Sequence, residues 1–267
     1  IQGSPYFPAL IESGEDATYR WIVYELLGPS LTYLRWQMHG DHFTKFTAFR
    51  CAIEMLRGIE ECHNRGFIHR DIKPGNFLIR PSKRHPVVLI DFGLSRQFIV
   101  NGDIIPPRKH VGFIGTTRYA SINVYRGKEQ CRGDDLVSWF YSVIEIVRGN
   151  LPFPITKNKQ KLLDYKSNLT TAKLCKGLPP QFVEIWDSIK DLTYYDAPDY
   201  NFIYHKLEEC NNNLTRKDPE YDWLKFSTRT VKKISAIDFR DDADETRIKI
   251  FDEEGNISQH PPICIIA

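Results

Sequence analysis

The chain has 267 residues, 42% of them hydrophobic and 26% charged, with a formal net charge of +2. Such a chain has enough apolar matter for one large domain or two small lobes around a cleft. A charge so near zero excludes a strong overall field for nucleic acid or an acidic membrane surface, and no apolar run reaches the ~18 residues a spanning helix needs.

From the N-terminus, Trp21–Leu27 is bulky and β-branched and stops at Gly28-Pro29, which predicts a buried strand running into a turn. A helix is expected over about 31–38. Between Asp41 and Asn64, Phe46, Phe49, Ile53, Leu56 and Ile59 recur at gaps of three and four and predict an amphipathic helix ended by Gly66. Short strands follow at 67–68, 77–79 and 87–90, and an ordered loop at 95–118. Asp134–Val147 reads as a central helix, apolar all round. Further helices are expected at about 157–167, 180–192 and 199–212. Beyond them, the acidic stretch Asp238–Glu254 reads either as a small hairpin turning at Gly255 or as a solvated tail.

The six cysteines (Cys51, Cys62, Cys131, Cys175, Cys210, Cys264) make no C-x-x-C pair and no zinc-ligand spacing with histidine. Scattered thiols in a chain of this size predict a reducing compartment, the cytoplasm or the nucleus. No secretory signal opens the chain. The start at Ile-Gln-Gly without Met carries the expectation of a fragment.

Two strings carry the chemistry. His69-Arg70-Asp71-Ile72-Lys73-Pro74-Gly75-Asn76 matches the kinase catalytic loop H-R-D-x-x-x-x-N, and Asp91-Phe92-Gly93 matches D-F-G, in the right order and with strand-like residues between. Phosphoryl transfer needs positioning and charge neutralisation more than covalent help. In that scheme Asp71 orients the proton of the substrate hydroxyl, and Lys73 places a positive charge near the transferred group. Asn76 and Asp91 offer Mg²⁺ the hard oxygens it prefers. His69, Arg70, Phe92 and Gly93 are the structural members of the two strings.

A third string, Gly115-Thr116-Thr117-Arg118-Tyr119-Ala120-Ser121-Ile122-Asn123, stands where most kinases have A-P-E. With ELLGPSL at 25–31, LIDFGLSR at 89–96 and DDLVSWFY at 134–141, it resembles the casein kinase 1 superfamily, including the tau-tubulin kinases, over roughly residues 5–212. The resemblance implies an α+β, bilobal kinase fold: a remnant of the small lobe and hinge over 1–27, the large lobe over 28–212, and an extension over 213–267. It implies Mg-ATP as co-substrate, protein Ser or Thr as acceptor, and a monomer. It makes Tyr24 the residue beside the adenine pocket and Glu25, Leu26 and Leu27 the hinge. Leu78 becomes the pocket floor, with Ile90 also at the nucleotide. Thr116 bonds the catalytic aspartate, and Asp135 braces the catalytic loop.

The resemblance also makes Arg118 part of an anion site beside the activation segment, with Lys157, Lys159 and Lys161 near it. That reading predicts acidic or pre-phosphorylated substrates. The alternative for the lysines is a solvated helix face, and both stand at this point. The chain contains no G-x-G-x-x-G loop and no V-A-I-K lysine. This departure carries the expectation of a small lobe reduced to its last strands, with weak ATP binding. It also keeps a second function open, a non-catalytic scaffold built on the large lobe.

Overall fold

The computed structural model describes residues 3–80, 85–214 and 220–225. At the N-terminus, β1 (Leu10–Glu15) and β2 (Arg20–Tyr24) form an antiparallel ladder. Asp16 sets their turn by accepting the N–H groups of Thr18 and Tyr19, each at 2.7 Å. The buried strand predicted over 21–27 is shorter than expected and only half covered, with Leu26 73% exposed. The reason is pairing: among the described residues β2 has β1 alone beside it, and a two-stranded ribbon has no second layer to cover it.

Past Gly28 the chain is stitched to the rest of the molecule. The Gly28 N–H donates to the Ile79 carbonyl at 2.7 Å, and the Ile79 N–H donates back to that of Pro29 at 3.0 Å. Ser30 then caps α1 (Leu31–Trp36) by accepting the Tyr33 N–H. The long helix α2 (Lys45–Asn64) starts four residues later than predicted. Gly40 and Asp41 are left-handed, and Thr44 is the cap, its hydroxyl accepting the Thr47 N–H.

Three short antiparallel ladders hold the middle of the chain. They pair β3 (Phe67–Ile68) with β6 (Arg96–Gln97), β4 (Phe77–Ile79) with β5 (Val87–Leu89), and β7 (Ile99–Val100) with β8 (Asp103–Ile104). The predicted loop at 95–118 therefore contains three two-residue strands, too short to leave a periodic trace. Helix α3 (Ile122–Tyr125) leads into the central α4 (Arg132–Arg148), followed by α5 (Lys159–Ser167), α6 (Thr171–Leu174), α7 (Gln181–Ile189) and α8 (Tyr200–Asn212).

The core lies between α2, α4, α7 and α8, as the apolar stripes of α2 and α4 require. Trp139 of α4 is fully buried and donates its indole N–H to the Ala52 carbonyl of α2 at 3.1 Å, locking the two helices together. Tyr221 and Trp223, nine and eleven residues past α8, stack at 4.4 Å and join this core. Next to them the Asp222 carboxylate accepts the N–H and the hydroxyl of Thr44, at 2.7 and 2.9 Å. Part of the stretch expected as an extension thus packs on the large lobe. The hairpin or tail at 238–254, and Cys264, lie outside the described residues. Among those described, no helix is long and apolar enough to cross a membrane.

Candidate active site

The turn Arg70–Asn76 leaves β3 and enters β4, and its shape depends on a carboxylate beneath it. Asp135, on the first turn of α4 and 1% exposed, accepts the N–H of His69 at 2.7 Å and that of Arg70 at 2.8 Å. His63 Nε2 lies 2.9 Å from the same carboxylate. Burial pushes the Asp135 carboxyl up, but the bond and charge of His63 and the His69 amide outweigh it and hold its pKa below the usual range. These bonds keep Arg70 at φ 70°, a conformation costly for a side-chain-bearing residue. The His69 ring accepts the Asp71 N–H on Nδ1 and donates from Nε2 to the Ile90 carbonyl at 3.1 Å, so it ties the turn to the end of β5.

Asp71, 7% exposed, is held from three sides. Thr116 donates both its N–H (2.9 Å) and its hydroxyl (2.7 Å) to Oδ1. Lys73 Nζ lies 3.3 Å from Oδ2 and also donates to the Thr116 hydroxyl at 3.2 Å. Asn76 donates its amide N–H₂ to the Asp71 carbonyl at 2.8 Å and to Oδ2 at 3.2 Å. The neighbouring glycine makes the approach possible: Gly115 has φ 104°, and a Cβ there would stand 2.4 Å from the Arg70 carbonyl oxygen.

Asp91 is next to Asn76 through the backbone, because the Ile90 N–H donates to the Asn76 carbonyl at 3.0 Å. It is exposed and left-handed (φ 64°, ψ 70°), and its Oδ1 accepts the Gly93 N–H. Phe92 points the other way and packs edge-on against His69 and Phe7. The set fits Mg²⁺: with its nitrogen spent on Asp71, Asn76 offers an amide oxygen, and Asp91 offers a solvent-facing carboxylate. Among the described residues no group of three His, Cys, Asp or Glu assembles.

On the strand side, Leu78, Val88 and Ile90 form a small buried apolar cluster with Leu27 packed against it. Tyr24 ends β2, half-buried. The Glu25 N–H donates to the Ala9 carbonyl at 2.9 Å, and the Glu25 carboxylate accepts the Ala9 N–H and pairs with Arg80. The Glu25 N–H is therefore committed within the protein, and so is its Oε1.

The third string is bound to α4. Ser121 and Asn123 both donate to Asp134 Oδ1, at 2.5 and 3.3 Å. Arg118 forks through Nε and Nη2 onto Glu145 Oε1, at 2.9 and 2.8 Å, and Tyr119 donates its hydroxyl to Oε2 at 2.5 Å. A buried carboxylate requires such partners. Arg118, expected at an anion site, thus has a protein anion as its neighbour. Lys157 and Lys161 are exposed, and no ion pair or hydrogen bond joins either to Arg118 among the described residues. Lys159 lies 4.1 Å over the Phe113 ring.

Glu145 and Glu129 escaped the sequence reading. Glu129 is buried and pairs with Arg108 at 2.5 Å, with Arg96 at 3.6 Å. A signal existed for Glu145: an acid inside an otherwise apolar helix needs a counter-charge.

Residues 2–213 match the family model for the protein kinase domain. A protein of Dictyostelium discoideum named "Probable serine/threonine-protein kinase" is 38% identical over 227 residues, covering 84% of this chain and 46% of that protein. Serine/threonine-protein kinase spe-6 of Caenorhabditis elegans is 31% identical, with coverages of 92% and 71%. Casein kinase I homolog 3 of Schizosaccharomyces pombe is 35% identical, with coverages of 84% and 53%. The chain thus spans about half the length of most of the curated relatives it matches. With its catalytic-loop and D-F-G strings folded as described, the chain belongs to the protein kinase domain family and is similar to serine/threonine kinases and casein kinase I homologues.

Proposed function

We propose that the protein transfers the γ-phosphoryl group of Mg-ATP to serine or threonine hydroxyls of protein substrates, as a member of the tau-tubulin kinase-like branch of the casein kinase 1 group. The observation that carries the reading is Asp71, whose carboxylate is fixed by Lys73 and Asn76 of its own turn and by Thr116 from 45 positions away. Asp71 acts as the base that orients the attacking hydroxyl, and Lys73 neutralises charge on the transferred group. Asn76 and Asp91 would hold magnesium, whose positive charge would neutralise the phosphates during transfer. Leu27, Leu78 and Ile90 offer the adenine an apolar slot with Tyr24 at its edge, and the hinge backbone at Glu25–Leu27 frames it. His69, Arg70, Phe92, Gly93 and Asp135 keep these groups in register.

A preference for acidic or pre-phosphorylated proteins would rest on the exposed Lys157 and Lys161 beside an Arg118 whose charge Glu145 already balances, and a monomer is sufficient for the chemistry. The five described cysteines are free and buried, with burial raising the thiol of each, which favours a reducing compartment, cytoplasm or nucleus.

The test is transfer of labelled γ-phosphate to an acidic, serine-rich protein. Phosphoserine or phosphothreonine is expected, lost on chelating magnesium and about 10²–10⁴-fold slower in Asp71→Asn. Equal rates for wild type and Asp71→Asn overturn the reading. Equal rates on a peptide with and without a pre-placed phosphate remove the substrate preference.

A further inference from the structure

Lys166 lies on α5 and is 3% exposed. An ammonium carries three N–H donors, and all three are used on one stretch of backbone. They reach the carbonyl oxygens of Thr117, Arg118 and Ala120 at 3.3, 3.0 and 2.6 Å. Around the same nitrogen stand three rings, Tyr125, Tyr141 and Phe153, with centroids at 5.2, 4.8 and 4.9 Å. Among the described residues no carboxylate pairs with it. Burial and the like charge of Arg118 hold its pKa well below that of an ordinary lysine.

A buried cation without a counter-ion is costly, and dipoles and ring faces must compensate for it. Here the dipoles belong to the segment that follows Thr116. A carbonyl that turned away would leave the charge underhydrated, so cation and backbone hold each other in one arrangement. The Tyr125 hydroxyl adds a second donor to the Thr117 carbonyl at 2.6 Å. The held segment matters to the site because Tyr119 and Ala120 line one small hollow with Asp71 and Thr116. The stretch therefore stands directly beside the carboxylate assigned to the acceptor hydroxyl.

We propose that Lys166 is a positioning residue that locks the backbone of residues 117–120, and through it Thr116, in the shape that receives the substrate polypeptide. The proposal rests on the kinase reading above, and it makes a substrate-binding element depend on a side chain that touches neither nucleotide nor acceptor.

The experiment compares wild type, Lys166→Met and Lys166→Gln in the full chain. Methionine keeps the length and the contact with the rings but has no donors. Glutamine keeps two donors without the charge. Amide hydrogen exchange at 117–121 is expected to rise at least tenfold in Lys166→Met and less in Lys166→Gln. The KM for a protein substrate should rise about tenfold, with the KM for ATP within twofold of wild type. Unchanged exchange at 117–121 overturns the proposal, as does an unchanged protein-substrate KM in an active enzyme. If Lys166→Met fails to fold, Lys166→Gln carries the same comparison. If wild type phosphorylates no protein, the kinase reading falls on its own, and exchange alone decides the role of Lys166.

Discussion

Thr116 gives both its backbone N–H and its hydroxyl to one oxygen of Asp71, at 2.9 and 2.7 Å, although 45 positions separate them. Two donors on Oδ1 fix the carboxylate plane and leave Oδ2 to Lys73 and Asn76. Thr116→Val removes the hydroxyl and keeps the shape. Turnover should fall about 10- to 100-fold, the equivalent of the ~1.5–3 kcal/mol of a hydrogen bond to a charged group. The KM for ATP should stay within a factor of two. Steady-state kinetics in both substrates check this, and an unchanged turnover would remove Thr116 from the mechanism.

Gly115→Ala should be worse than its size implies. The new Cβ meets the Arg70 carbonyl oxygen at 2.4 Å, and the backbone there has φ 104°. A side chain in such a conformation costs about 1–3 kcal/mol before the clash is counted. Urea unfolding should show at least that loss, and activity should drop further because the shift moves Thr116 off Asp71. A variant as stable and active as wild type would contradict the geometry of this turn.

Asp135 makes stability depend on pH. Its folded pKa lies below the unfolded value of about 3.9, so protonation favours the unfolded chain. The contribution is complete above about pH 4 and is lost as pH falls through the lower, folded value. Asp135→Asn should therefore be less stable at pH 6–7, and the gap to wild type should close below about pH 4. Unfolding curves taken from pH 3 to pH 7 test this. A gap that widens in acid would show the sign to be wrong.

Trp139→Ala should cost about 3–5 kcal/mol, because it empties a fully buried site and removes the indole bond to the Ala52 carbonyl. Trp139→Phe keeps most of the volume and loses the bond, and should cost about 1–3 kcal/mol. Thermal and urea unfolding of the two variants separate packing from hydrogen bonding.

The parts of this architecture visible in the sequence are those written in short range. The stripe on α2 and the apolar run of α4 announce the core, and His69–Asn76 and Asp91–Gly93 are contiguous strings whose spacing survives folding. What stayed hidden was decided by partners far along the chain. Arg118 looks like a free cation until Glu145 is placed beneath it, 27 positions later. Lys166 looks like one more charge on a polar helix until three carbonyls and three rings close over it. The strands β6 to β8 are two residues each and carry no period, and the strand read over 21–27 loses its cover because β2 pairs with β1 alone among the described residues.

Thr44 and Asp222 lie 178 positions apart, yet the second completes the first turn of the helix that the first begins. During synthesis, α2 leaves the ribosome long before its carboxylate partner is made. The amino end of this long scaffold helix must wait, incompletely satisfied, until nearly all the described polypeptide has emerged. A nascent chain arrested before position 222 would carry a large lobe with a frayed corner, and release of the last described residues closes it.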